Sequence, residues 1–299
     1  MNKSLLQMIV AISETRSFTA AGEKMNMTQP AVSRAVTSLE RELGVTLLIR
    51  DRRHGVALTP FGERIVRIFR EILQGYDKID QEIASEKGLE TGYVRIGAFP
   101  VAASYFVPKL ISHIKSLYPR IEFSIVEGTI IDVQDWLDNR QIDVGLLIPS
   151  DNATDSFPLY REGIYAVMRD DHPLNGKSLI RPEDLREEPM IICKAGYEPP
   201  VLKWFDSAGM APRIEYILNN YRTALQMVLA GEGLAVMSEL SLLDCPQGLT
   251  LKRLSPEAYR DIHIASAPVE NCTIAVKMFI ETAQKLFPFQ TVHESLIKV

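Results

Sequence analysis

Cysteine is scarce in this 299-residue chain: Cys193, Cys245 and Cys272 are the whole set, and no two of them stand close together. An odd, dispersed set makes no disulfide framework, and without a Cys-x-x-Cys pair the common zinc and dithiol spacings are absent. The five histidines (His54, His113, His172, His263 and His293) are equally scattered, so neither a metal site nor a cofactor is expected. Also missing is any run near the roughly 20 apolar residues that a membrane-crossing helix needs. The first residues lack the basic stretch, apolar run and cleavage site of a secretion signal. A soluble, cytoplasmic protein is expected. No Gly-x-Gly-x-x-Gly, phosphate loop or Gly-x-Ser-x-Gly occurs, so no residue set nominates a catalysed reaction, and an enzyme is not expected.

What is present is globular: 46% apolar and 24% charged residues, over a length that suits one small domain plus a larger one. The net charge of −5 hides an asymmetry. Residues 1–70 hold 11 Lys/Arg against 6 Asp/Glu, and the remainder holds 22 against 32. A basic head on an acidic body is the balance expected if only the head approaches a polyanion.

The head reads as a winged helix-turn-helix. Leu5, Leu6, Ile9, Val10 and Ile12 give a first helix with an apolar face. Ser17 stands at an N-cap position ahead of the second helix, where Ala20, Ala21 and Gly22 permit close approach. Residues 25–27 make the turn, and Thr28 is the next N-cap candidate, with Pro30 in the first turn behind it. That helix should run to about Leu43, with Val32, Val36, Leu39 and Leu43 inward and Gly44 as its C-terminal stop. Two short apolar strands, 45–49 and 56–58, flank Arg50, Arg52, Arg53 and His54 at a hairpin tip. Such a tip is a solvated turn in most proteins; beside a helix-turn-helix its arginines suit the minor groove or phosphate.

The run Ser17-Phe-Thr-Ala-Ala, then Thr28-Gln-Pro-Ala-Val-Ser-Arg34, Leu39-Glu40, Leu43-Gly44, Leu47, Arg50, Leu58-Thr59 and Gly62 resembles the LysR-type transcriptional regulators. The departures are Gly22, where that family usually has alanine, and Leu48, where phenylalanine is usual. Chemistry assigns contacts within the motif. Gln29 and Arg34 carry planar groups able to reach base edges, and Pro30 offers an apolar surface to a thymine methyl. Thr28 and Ser33 bring short hydroxyls to phosphate, although Thr28 is equally read as a plain cap. Arg52 and Arg53 are the wing candidates; Arg50 is read either as a third or as a structural partner of Glu40 or Glu42.

From 60 to 87 only Gly62 and Gly75 weaken a helix. Ile65, Phe69, Ile72, Tyr76, Ile79 and Ile83 recur in alternating steps of four and three, the period of a two-helix seam. About 28 residues at 1.5 Å make roughly 40 Å, so dimerisation is preferred over a helix lying on its own body. Two such heads would demand an operator of approximate two-fold symmetry.

Beyond a hinge at 86–92, strand and helix patterns alternate, which argues for an α/β body with a doubly wound parallel sheet. Arg95-Ile-Gly97, Tyr118-Pro119, Glu127-Gly128, Ile142-Asp143-Val-Gly145, His172-Pro-Leu174 and Ala230-Gly-Glu-Gly233 resemble the same family's effector-binding domain, two lobes similar to periplasmic binding proteins. The expected organisation is therefore a DNA-binding domain at 1–59, a linker helix and hinge at 60–90, and an effector domain at 91–299. Within the last, lobe 1 is 91–161 with 261–299, and lobe 2 is 162–260.

In such sheets ligands sit beyond the carboxyl ends of strands. That rule nominates 99–104, 128–129, 148–150, 193–197 and 219–220, hence Val101, Ser104, Thr129, Ile148, Lys194, Tyr197 and Asn219. Thr129 matches a position where the family often places a ligand-binding threonine. Pro100 and Val101 replace the serine or threonine usual after the first strand, which points to a partly apolar effector, in the main a small carboxylate or other metabolite. Lys194 is read as its countercharge or as a surface lysine, and Tyr197 as a contact or ordinary packing. The resemblance also implies a dimer of dimers, and RNA polymerase is a further candidate partner. A redox sensor using Cys193 beside Lys194 is one rival reading, and a ligand-binding or scaffold protein without DNA function is another, which leaves Gln29, Arg34 and the wing arginines unexplained.

Overall fold

The computed structural model describes residues 2–51, 55–87, 91–149, 155–194, 198–290 and 296–297, and the side chains of Arg50, Asp51 and Glu198 are not among those described. The chain divides into two compact units.

In the first unit, α1 (Lys3–Thr15), α2 (Phe18–Lys24) and α3 (Gln29–Leu43) precede a two-stranded wing, β1 (Leu48–Asp51) and β2 (Gly55–Leu58), and a long helix, α4 (Pro60–Glu86). Local chemistry sets the boundaries. The Ser17 hydroxyl accepts from Ala20 N at 3.2 Å and starts α2. Gly44 in the left-handed region (φ 68°) ends α3. The Thr59 hydroxyl accepts from Gly62 N at 2.9 Å, with Pro60 in the first turn of α4. One core binds these pieces: Leu6, Ile9 and Ile12 of α1, Ala21 of α2, Val32, Val36 and Leu39 of α3, Leu47, Leu48, and Val66 and Phe69 of α4.

Two expectations fail here. Leu43, the last residue of α3 before the Gly44 stop, is 41% exposed rather than inward. Phe69, assigned to the seam, is buried against α1 instead, and Ile68 takes its place on the open side with Ile72, Tyr76, Ile79 and Ile83.

The second unit opens with β3 (Gly92–Ala98), α5 (Pro100–Leu117), β4 (Ile121–Glu127), α6 (Ile130–Asp138), β5 (Val144–Leu147) and β6 (Ser156–Arg169). There follow β7 (Leu179–Ile180), β8 (Met190–Cys193), α7 (Glu198–Asp206), β9 (Ile214–Leu218), α8 (Tyr221–Leu229), β10 (Leu234–Ser238), β11 (Leu249–Leu254), β12 (Tyr259–Ser266) and α9 (Ile274–Leu286). The strands run in the order β4-β3-β5-β12-β6-β10-β8-β9, with β11 pairing β6 and β7.

Two half-sheets meet at β6. Its first half, 156–163, pairs antiparallel with β12; its second half pairs antiparallel with β10 and β11. Each half-sheet has its parallel group, β4-β3-β5 in one lobe and β10-β8-β9 in the other. The sheet is therefore mixed. Parallel βαβ units build each lobe as expected, but β12 and β6, the strands that cross between lobes, run antiparallel to their neighbours. The start of β5 is pinned by Arg95, whose Nη2 and Nε donate to the two oxygens of Asp143 at 2.7 and 3.0 Å.

Candidate nucleic-acid interface and effector region

In α3 the face carrying Val32, Val36 and Leu39 is sealed, and the opposite face is open. Thr28, Gln29, Pro30 and Arg34 are exposed and Ser33 is half-buried, all within the first two turns. Thr28 occupies the N-cap position, yet its side chain makes no capping hydrogen bond, which leaves the hydroxyl available to another acceptor or donor. Among the described residues Arg34 has no ion-pair partner. Free helix N-terminal amides and a lone guanidinium on one face suit a polyanion. Arg52 and Arg53 lie outside the described residues. The wing is tied to α3 by Glu40, whose Oε1 accepts from Leu47 N at 2.7 Å and Leu48 N at 3.1 Å.

Gly22 explains its own departure from the family pattern. Met27 N donates to Gly22 O at 2.8 Å across the turn, and a Cβ on Gly22 would stand 2.6 Å from Met27 O. Leu48, the other departure, is buried in the same core.

Among the described residues nominated for the effector, Thr129, Ile148, Lys194 and Asn219 follow the ends of their strands, Val101 and Ser104 lie in α5, and several are committed elsewhere. The Val101 side chain belongs to the lobe 1 core, 3% exposed, so at most its backbone N–H is offered at the start of α5. The Ser104 hydroxyl donates to Pro100 O at 2.8 Å. It lines a groove of about 480 Å³ on the flank of α5 with Ile111, Ile125 and Glu127, rather than a shared pocket with the other candidates. Thr129 forms a reciprocal cap with Asp132 at the start of α6. Its hydroxyl and amide both donate to Asp132 Oδ2, at 2.7 and 2.8 Å, while its Oγ1 accepts from Asp132 N at 3.1 Å. Those bonds hold the Asp132 carboxyl below the ordinary carboxylate range. Ile148 is half-buried against the lobe 1 core. In lobe 2, Lys194 is exposed and donates its amide to Leu218 O at 2.7 Å; Asn219 is exposed beside Asn220, the cap of α8. Tyr197 and Ser150 lie outside the described residues.

Sequence reasoning missed the polar network where the lobes join. Arg260 on β12 and Glu162 on β6 form an ion pair 2% and 0% exposed. Arg260 also donates to Ser238 Oγ at 2.7 Å and lies 5.4 Å from the centroid of the Phe99 ring. The second Glu162 oxygen accepts from Leu240 N at 3.0 Å. Beside it Glu239, also fully buried, accepts from the Tyr160 hydroxyl at 2.9 Å. Burial and the Glu239 charge push the Tyr160 hydroxyl well above its ordinary range. Strand charges normally read as surface residues, and Glu162 beside Arg161 and Arg260 beside Asp261 look like solvated neighbours in the sequence.

Cys193 and Cys272 are buried in one core cluster, while burial raises the Cys245 thiol.

A winged helix-turn-helix followed by a two-lobed α/β domain defines a DNA-binding regulator joined to a small-molecule sensor. Residues 4–63 match the bacterial regulatory helix-turn-helix protein model of the lysR family, and residues 87–288 match the LysR substrate binding domain. The chain belongs to the LysR family of transcriptional regulators.

One relative is the uncharacterized regulator YvbU of Bacillus subtilis, 43% identical, with 94% of this chain and 97% of that one covered. A full-length OxyR variant from Pseudomonas aeruginosa has the same fold, with a TM-score of 0.77 at 23% identity over 98% of this chain and 99% of that one. Full-length CbnR complexed with its target DNA gives 0.64 at 20% identity, over 95% and 99%. The protein is a DNA-binding transcriptional regulator with an effector domain and not an enzyme. Among the described residues no helix is long and apolar enough to cross a membrane.

Proposed function

We propose that this regulator reads an operator of approximate two-fold symmetry through the open face of α3, as a dimer of dimers built on α4, under control of a small metabolite. The observation that carries the reading is the division of α3: one face sealed by Val32, Val36 and Leu39, the other presenting Gln29, Pro30, Ser33 and Arg34. Gln29 and Arg34 are assigned to base edges, and Thr28 and Ser33 to phosphate, with Arg52 and Arg53 on the wing. The exposed stripe of Ile68, Ile72, Tyr76, Ile79 and Ile83 supports self-association. A regulator acting on DNA is assigned to the cytoplasm, with contact to RNA polymerase as a further element of the proposal.

The effector is assigned to the strand-end loops between the lobes, with the Val101 amide, Thr129, Ile148, Lys194, Tyr197 and Asn219 about it. Ser104 is the weakest of the set, given its place on the outer groove. Lys194 and the α5 amides favour a small carboxylate. Binding there would shift lobe geometry and thereby the spacing of paired heads.

The experiment is a binding assay of Arg34→Ala against a panel of operator variants at fixed salt. A loss of about 1–3 kcal/mol with relaxed preference at one base pair is expected. An equal loss on every sequence would reassign Arg34 to phosphate. No preference of the parent protein among genomic fragments would end the proposal.

A further inference from the structure

We infer, resting on the DNA-binding reading of α3 and the wing, that Arg16 is a further DNA contact: a guanidinium set on phosphates of the strand between the groove read by α3 and the groove facing the wing. In a helix-turn-helix the second helix enters the major groove while the first crosses the backbone. The first helix here is α2, and Arg16 stands immediately before its N-cap, Ser17. The same residue is tied to the wing, where Val56 N on β2 donates to Arg16 O at 3.1 Å. The approach is so close that a Cβ on Gly55 would stand 2.9 Å from Arg16 O. One residue thus joins the leading end of the backbone-crossing helix to the wing strand. The sugar–phosphate strand runs between the targets of those two elements.

The backbone of Arg16 is held from several sides, whereas its side chain is uncommitted. Its N–H donates to Ile12 O at 2.8 Å and closes α1. Around it, Ser17 N donates to Thr15 Oγ1 at 3.4 Å, and the Thr15 hydroxyl donates to Ala11 O at 2.8 Å. These bonds fix Arg16 in the left-handed region (φ 52°), where glycine or asparagine is the favoured cap. Arginine is a poor choice for that backbone, so its presence points to the side chain. That side chain is exposed and, among the described residues, has no ion pair or hydrogen bond. The nearest acid in sequence, Glu14, is engaged by Lys24 at 3.4 Å. A planar guanidinium on a fixed backbone suits phosphate oxygens, and such a contact carries no base preference.

Fluorescence anisotropy with the full chain tests this on two duplexes, one selected by the parent protein from genomic fragments and a scrambled one of equal length. Arg16→Gly should weaken binding to both by about fivefold per bound head near physiological salt. It should also reduce the slope of log K against log salt by about one per head, as for one lost phosphate. Arg16→Lys keeps the charge and should keep the slope. Thermal stability of Arg16→Gly should match or exceed the parent's, because glycine accepts the left-handed backbone. Weaker binding by an equally stable protein is not what a purely structural residue gives. Parent affinity and slope in Arg16→Gly would overturn the assignment, and so would a loss confined to the selected duplex, which marks a base contact. A loss shared in full by Arg16→Lys would overturn it too. Arg34→Ala in the same titration separates the two readings. If it relaxes base preference while Arg16→Gly behaves as the parent, only Arg16 falls; a parent that does not prefer the selected duplex removes both.

Discussion

Arg260 and Glu162 stand directly opposite in the register of β12 and β6, and their ion pair is sealed from solvent at the point where the chain crosses between lobes. Removing two charges from water costs several kcal/mol each, and only complete hydrogen bonding offsets that cost. Here Ser238, the Leu240 amide and the Phe99 ring complete the set. Arg260→Met should therefore lower stability by about 3–5 kcal/mol, because it leaves Glu162 buried and unpaired. Adding Glu162→Met should recover much of the loss, since the packed volume then contains no charge. Denaturant midpoints of the two variants decide: a double variant no more stable than the single one would mean that the pair is needed for shape, not for neutralisation.

Glu40 sets the wing against α3 through a single oxygen that accepts two backbone amides. Glutamine supplies the same carbonyl oxygen, so Glu40→Gln should be mild, whereas Glu40→Ala should cost about 1–3 kcal/mol by orphaning the Leu47 and Leu48 amides. Amide exchange at those two residues is the direct measurement. If both variants exchange alike, the charge of Glu40 rather than its acceptor geometry holds the wing.

The N-terminal unit was legible because its signals are local. Ser17, Gly44 and the Thr59-Pro60 pair act within one turn of where they stand, and the core spacing of Val32, Val36 and Leu39 belongs to one helix. The failures were of reach. Phe69 has the period of a seam residue, but α1 lies against it, which no pattern within α4 reveals. The 14-residue β6 serves one lobe with its first half and the other with its second, a division that no pattern within the strand announces. Strand direction was equally hidden: β12 returns from lobe 2 and so runs antiparallel, although its sequence reads like the parallel strands. Thr129 was recognised as special, yet its partner Asp132 went unnoticed because a reciprocal cap looks like any polar pair three residues apart.

Gly22 shows how one family departure becomes obligatory. Alanine, the usual residue there, would place a methyl 2.6 Å from Met27 O, a backbone atom that cannot swing aside. Gly22→Ala should destabilise the N-terminal unit by about 1–3 kcal/mol, in the range of overpacking. It should weaken operator binding as well, because the turn between α2 and α3 carries the recognition face. Thermal unfolding followed with DNA titration checks both. Unaltered stability would mean that the turn can open at little cost.

Asp132 gives a pH-dependent test of the Thr129 region. The Thr129 hydroxyl and amide hold its carboxyl below the ordinary range, so the folded chain binds the proton less readily than the unfolded one. The cap's stabilisation is then fully present above the unfolded value of about 3.9 and fades as pH falls through the folded value. Asp132→Ala should cost about 0.5–2 kcal/mol near neutrality, as for other lost helix caps, and the gap to the parent should close as pH falls through the lowered folded value. Asp132→Asn should keep most of the cap with little pH dependence. The same geometry bears on the effector. A carboxylate arriving at Thr129 must compete with Asp132 for the same two donors and meet its charge, so Asp132→Asn should tighten binding of small carboxylates. Isothermal titration of one carboxylate series into parent and variant separates the cases, and tighter binding by the parent would remove Thr129 from the effector site.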